Sequence, residues 1–147
     1  MHSQDVGKQV EGLQEKEVQK IVFRNLSKLM TPAKEAVLLA RKLQDKGLIA
    51  RTLCSVGEVE ASVGKWDAAL AAVAEAAVLG RQVGARATES RALVLSSELH
   101  FRKKEMALAR EEAERAFQLV KKTFSWDARR NAERALKRVG LMPRYDD

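Results

Sequence analysis

LMTPAKEAVLLARKLQ, Leu29 to Gln44, returns twice at a spacing of 40 residues: as ALAAVAEAAVLGRQVG, Ala69 to Gly84, and as AREEAERAFQLVKKTF, Ala109 to Phe124. Aligned without a gap, Ala36, Ala76 and Ala116 coincide. So do Leu39, Leu79 and Leu119, and the basic set Arg41, Arg81 and Lys121. Self-similarity at a fixed period of about 20 to 50 residues marks a stacked repeat array. An Ala lets two helices approach closely, and a Leu three residues on shares its helical face. The equal spacing therefore predicts like helical hairpins lying side by side, with the three Ala in corresponding surroundings.

Composition agrees with a helical fold. Apolar residues make up 46% and charged residues 32% of the 147, with two Pro and 5% aromatics. That apolar share excludes a disordered chain, and the abundance of Ala, Leu, Glu, Lys and Arg favours helix. The length fits one domain able to bury a core. A single Cys, Cys54, excludes an internal disulfide and suits a reducing compartment, so an intracellular, cytoplasmic location is expected. No apolar run approaches the ~18 residues of a membrane span. The start, MHSQDVGKQVEG, has neither the apolar stretch of a secretory signal nor an Arg-rich leader.

Along the chain, residues 1 to 7 are expected to be frayed and 8 to 140 to form one domain. A first helix is predicted from about Lys8 to Met30, with Val18, Ile21, Val22, Leu26 and Leu29 on one side and Lys16, Lys20, Arg24 and Lys28 as a basic stripe on another. Thr31-Pro32 reads as a capped helix start, and Gly47 as the close of that helix near Lys46. Further helices follow over Leu48–Val63, Trp66 to about Val83, Arg86 to about Lys103 and Glu105 to about Lys122. Gly64 and Gly84 punctuate the first two, and no Gly or Pro marks the turn after Lys103. Ser125 is a candidate cap for a last helix, Trp126–Val139, ended by Gly140 and Pro143. The tail 141–147 reads as loose. The fold class is all-α, about seven helices in antiparallel hairpins, stacked into a curved α-solenoid.

The repeat resembles the tetratricopeptide family. Between Ala50 and Leu79, the residues Leu53, Gly57, Gly64, Trp66, Ala69, Val73 and Ala76 stand at that family's signature spacing. Ser90 to Leu119 matches through Leu93, Ser97, Ala109, Ala113 and Ala116, but has Lys104 for Gly64 and Met106 for Trp66. The ordinary unit is about 34 residues. The longer unit here looks like the long-helix branch found in cell-polarity and G-protein-modulator scaffolds, in which an Arg opens the first helix of each unit, as Arg51 and Arg91 do. The resemblance covers roughly Thr31 to Val139 and implies a right-handed superhelix. It makes residues 126–139 a solvating cap helix.

The resemblance also implies a concave groove lined by the first helix of each hairpin. Its candidate contacts are Arg51, Cys54, Glu58 and Ser62, then Arg91, Val94, Glu98, Phe101 and Arg102, with Arg51/Arg91 and Glu58/Glu98 in rows of like with like. Arg130, Arg134, Lys137 and Arg138 of the last helix form a basic patch at its end. Arg can grip a carboxylate or phosphate through paired hydrogen bonds, and Phe101 can anchor an apolar group. The plainer reading is that these Arg and Glu pair with one another. Relatives that clamp a peptide's C-terminal carboxylate use Lys and Asn where Cys54, Glu58, Val94 and Glu98 stand, so that chemistry is not expected.

Formal net charge is +7, and the excess lies between Lys121 and Arg144, where eight Lys and Arg face Asp127 and Glu133. Such an end suits an acidic partner, an anionic surface or nucleic acid, or is a solvated face. His2 and His100 stand apart, Cys54 lacks a neighbouring base, and Glu111, Glu112 and Glu114 read as an ordinary charged face. No metal spacing or phosphate loop is present, so neither an enzyme nor a cofactor is expected. The leading reading is an adaptor or scaffold whose groove holds a peptide or helix of a partner protein, an acidic one among the candidates. The alternatives are a structural subunit, self-association through residues 8 to 30 included, and a basic nucleic-acid binder with Phe124, Trp126 and Tyr145 as its aromatics.

Overall fold

The structure, a computed structural model, describes residues 14–146. The expectations for residues 1–13, His2 among them, for the side chains of Val22 and Leu26, and for Asp147 lie outside the described residues. Among the described residues seven helices follow one another: α1 Glu15–Ser27, α2 Met30–Leu43, α3 Lys46–Ser62, α4 Trp66–Gln82, α5 Arg86–Arg102, α6 Met106–Val120 and α7 Trp126–Arg138. There is no strand among the described residues, and no helix there is long and apolar enough to cross a membrane. Helices α3, α5 and α7 start at residues 46, 86 and 126, and α4 and α6 at 66 and 106. The forty-residue period is thus kept to the residue from α3 onward.

One turn type produces this regularity. At Gly64, Gly84, Lys104 and Gly140 the backbone takes φ of 83°, 71°, 63° and 81°. The next amide then reaches back five residues: Lys65 N–H to Glu60 O (2.8 Å), Ala85 to Gly80 (2.8 Å), Glu105 to His100 (2.8 Å) and Leu141 to Leu136 (2.9 Å). This is the Schellman closure, which satisfies carbonyls that a helix end leaves open. Gln44 does the same at φ 56°, with Asp45 N–H on Ala40 O at 3.4 Å.

Two termini differ from expectation. Gly47 does not close α2. Gln44 takes the left-handed position, and Gly47 lies in the first turn of α3, which Asp45 caps by accepting the Leu48 N–H at 3.1 Å. Thr31 does not cap α2 either. Leu29, ahead of the helix, is itself in the helical region (φ −77°, ψ −16°), so Thr31 and Pro32 fall inside the first turn. Ser125 does stand before α7 in extended conformation, but its side chain makes no capping bond.

Consecutive helices from α2 to α7 pack on each other, and α3 packs on α5 and α5 on α7. The odd-numbered helices therefore form a continuous row, to which α1 adds itself by packing on α3. Two apolar cores result. Val37, Ala40, Ile49, Leu53, Val56, Val73, Ala76 and Ala92 belong to the first. Leu93, Ala109, Ala113, Ala116, Phe117, Val120, Leu136 and Val139 belong to the second. The neighbours Ala92 and Leu93 thus serve different cores, and α5 is the wall between them.

Small residues set the crossings within each hairpin. A Cβ on Gly57 would stand 2.7 Å from Val73 Cγ1 and 3.5 Å from Ala69 O. Forty residues on, two serines take the small positions and use their hydroxyls. Ser90 Oγ donates to Ala116 O at 2.9 Å, and Ser97 Oγ to Ala109 O at 2.7 Å. Ala76 and Ala116 are fully buried, while Ala36 is only half-buried and Leu39 is exposed. The first copy is the exception because α1 packs on α3 rather than folding back along α2. The positions buried in all three copies are Ala40, Gly80 and Val120.

Candidate functional site

The groove candidates all lie on the row of odd-numbered helices, and two depressions collect them. One, of about 240 Å³, is lined by Arg51 of α3, by Thr88, Arg91 and Val94 of α5, and by Asp127 and Asn131 of α7. The other, of about 210 Å³, joins Glu58 and Ser62 of α3 to Glu98 and Arg102 of α5. Phe101 lines neither, because it packs half-buried on the second core beside Met106. Cys54 is likewise lost to a ligand. It is buried, and burial, helped by Glu58 and opposed by Arg91, pushes its thiol pKa up to about 11.

The charges are arranged as pairs across the row. Arg91 of α5 donates through Nε to a carboxylate oxygen of Glu58 on α3 at 2.9 Å, with its Nη2 ion-paired to the same oxygen at 2.8 Å. Arg102 bonds Glu98 within α5 at 2.9 Å, and Arg138 of α7 comes within 4.0 Å of the other oxygen of Glu98. Opposite charges thus face each other between helices, as well as the like residues standing forty apart. Arg51 is exposed and makes no ion pair among the described residues. Pairs as exposed as these each contribute at most about 1 kcal/mol, so an incoming carboxylate can replace Glu58 at Arg91 with little loss.

The four residues of the basic patch stand on one face of α7, at i, i+4, i+7 and i+8. Arg130 lies 4.9 Å over the Trp126 ring, Arg138 turns to Glu98, and Arg134 and Lys137 remain exposed on α7. Below it, Tyr145 of the tail stands edge-on to Phe117, with centroids 5.1 Å apart, and its hydroxyl donates to Glu133. That hydrogen bond and partial burial raise the Tyr145 pKa.

One polar cluster is not legible along the sequence. Glu112 of α6 accepts the hydroxyl of Ser96 on one oxygen and bonds His100 Nδ1 on the other, both from α5. The three sit at a cleft of about 320 Å³ shared with Val73, Ala77 and Val78 of α4 and Arg115 of α6. Ser96 and His100 are four apart on one helix face, which is a readable signal. Their partner is fixed only by the α5–α6 register that Ser90 and Ser97 set. In this order the hydroxyl is bonded to the carboxylate and not to the imidazole, whereas activating a serine needs the imidazole beside it. The cluster pins two helices together. Among the described residues no group of His, Cys, Asp and Glu is placed to hold a metal.

Comparison of the chain with protein-family models, curated proteins and solved structures finds no match.

Proposed function

We propose that the chain is a non-enzymatic interaction module: a right-handed solenoid of tetratricopeptide-like hairpins whose concave side holds a segment of a partner protein. That side is the row of α3, α5 and α7. The observation that carries the reading is the depression lined from all three helices, with Arg51 and Arg91 beside the apolar Val94. Two guanidinium groups next to an aliphatic side chain suit a peptide that alternates an acidic and an apolar residue. A row of three helices gives a short groove, so one or two anchors carry most of the affinity.

The test is affinity capture from the native source with the wild-type chain, identification of the bound protein, and titration of that protein against Arg51→Glu and Arg91→Glu. Arg51 is exposed and the Arg91–Glu58 pair is solvent-accessible, so both variants should keep the wild-type helical spectrum, with Arg91→Glu, which sets a carboxylate against Glu58, melting slightly lower. Each is expected to weaken binding by about tenfold or more, the equivalent of ~1.4 kcal/mol. A partner that binds both variants as it binds the wild type overturns the groove assignment.

A further inference from the structure

We propose that α2 is the contact helix of a homodimer and pairs antiparallel with its own copy across a two-fold axis. Leu38 and Leu39 are each 61% exposed and Leu43 is 71% exposed, on a helix whose other side buries Val37 and Ala40. The equivalents of Leu39 in the later copies, Leu79 and Leu119, are half-buried and packed on the two cores. Among the described residues α1 does not cover Leu39, since it packs on α3.

The charges name the occupant. Glu35 and Lys42 stand on the same outward face as Leu38 and Leu39, one turn to either side. Arg41 is committed to Glu75 of α4 at 2.9 Å, whereas Glu35 and Lys42 make no ion pair among the described residues. On the outward face the order Glu35, Leu38, Leu39, Lys42 reads backwards as Lys, Leu, Leu, Glu, with the leucines in the middle and the sign reversed end to end. A two-fold axis between Leu38 and Leu39 therefore sets Glu35 against Lys42 of the second copy, Lys42 against its Glu35, and leucine against leucine between them. Such self-complementarity is what an isologous interface requires. A purely acidic segment would face Glu35 and a purely basic one Lys42. A second α2 satisfies both. One pair of short helices covers less than a standard interface, so the dimer is weak and concentration-dependent.

Glu35, Leu38, Leu39 and Lys42 line neither groove depression, so this inference and the groove reading stand or fall separately. The experiment is sedimentation equilibrium of the full chain from ~1 to ~500 µM, a range that brackets weak association. The average mass should rise from that of the monomer toward twice that value. Leu39→Glu, Glu35→Lys and Lys42→Glu should each weaken association at least tenfold without altering the helical spectrum. An equimolar mixture of the Glu35→Lys and Lys42→Glu chains should recover the larger species, because each supplies the sign the other lacks. The double variant Glu35→Lys/Lys42→Glu should self-associate like the wild type. A wild type that stays monomeric throughout overturns the proposal. So does a dimer indifferent to Leu39→Glu, or a mixture no better than either variant alone.

Discussion

Gly57 is where the first hairpin tolerates no side chain. Its missing Cβ would meet Val73 Cγ1 at 2.7 Å, and Val73 is a buried, β-branched residue with little rotamer freedom. Gly57→Ala gains up to ~1 kcal/mol of helix propensity but overpacks a core at a cost of ~1–3 kcal/mol. A net loss of about 1 kcal/mol is expected in urea unfolding. The second hairpin carries Ser97 where Gly57 stands and Ala113 where Val73 stands. Combining Gly57→Ala with Val73→Ala should therefore cost less than the sum of the two, and a double-mutant cycle measures that coupling. Cys54 gives a second residue-level expectation. A thiol raised to about 11 is almost wholly protonated at pH 8. Alkylation should run about a hundredfold slower than for an unhindered thiol and speed up in urea. The native pKa lies above the ordinary thiol value of 9.0, so this group supports the fold fully below pH 9. That support is lost as pH rises from 9 toward 11, because the unfolded chain releases the proton first.

At the scale of the helix, what could be read ahead of the structure was whatever only one residue type can do. Gly64, Gly84 and Gly140 announce turns because a positive φ is strained for other residues. Lys104 shows the same turn without the signal, since its backbone stands at φ 63° all the same. Lys104→Gly should relieve that strain and raise the unfolding free energy by ~0.5–1 kcal/mol, net of the entropy a glycine adds to the unfolded chain. A melting point unchanged or lower would show that the lysine side chain supplies more than its backbone costs. The α2 termini were misread for the opposite reason: several residues could serve. Gln44 closes the helix although Gly47 was available, and Asp45 caps the next one. The groove candidates follow from the resemblance, with Arg51 and Glu58, then Arg91 and Glu98, two turns apart on successive first helices. The bond from Arg91 to Glu58 was not legible, because it depends on how α5 is staggered against α3. The same holds for Ser96, His100 and Glu112, which lie on two helices whose register two serine hydroxyls decide.

For the molecule as a whole, the two cores predict how it comes apart. A stack in which each hairpin touches its neighbours has stability made of local terms and interface terms, so a perturbation need not spread evenly. Among the described residues only α5 belongs to both cores, through Ala92 and Leu93. Helix α2 buries just Val37 and Ala40, whereas α6 buries Ala109, Ala113, Ala116, Phe117 and Val120. Among α2 to α7, amide exchange should accordingly be fastest in α2 and slowest in α5 and α6, which carry more buried residues. Gly57→Ala sharpens the contrast, because it strains the α3–α4 crossing inside the first core alone. Protection in α2, α3 and α4 should fall by about fivefold to tenfold, the measure of ~1 kcal/mol, while α6 and α7 change by less than half as much in free energy. Equal losses in α6 and α7 would mean that α5 couples the cores so tightly that the stack opens only as one unit. The helix that separates them would then be a rigid strut rather than a boundary.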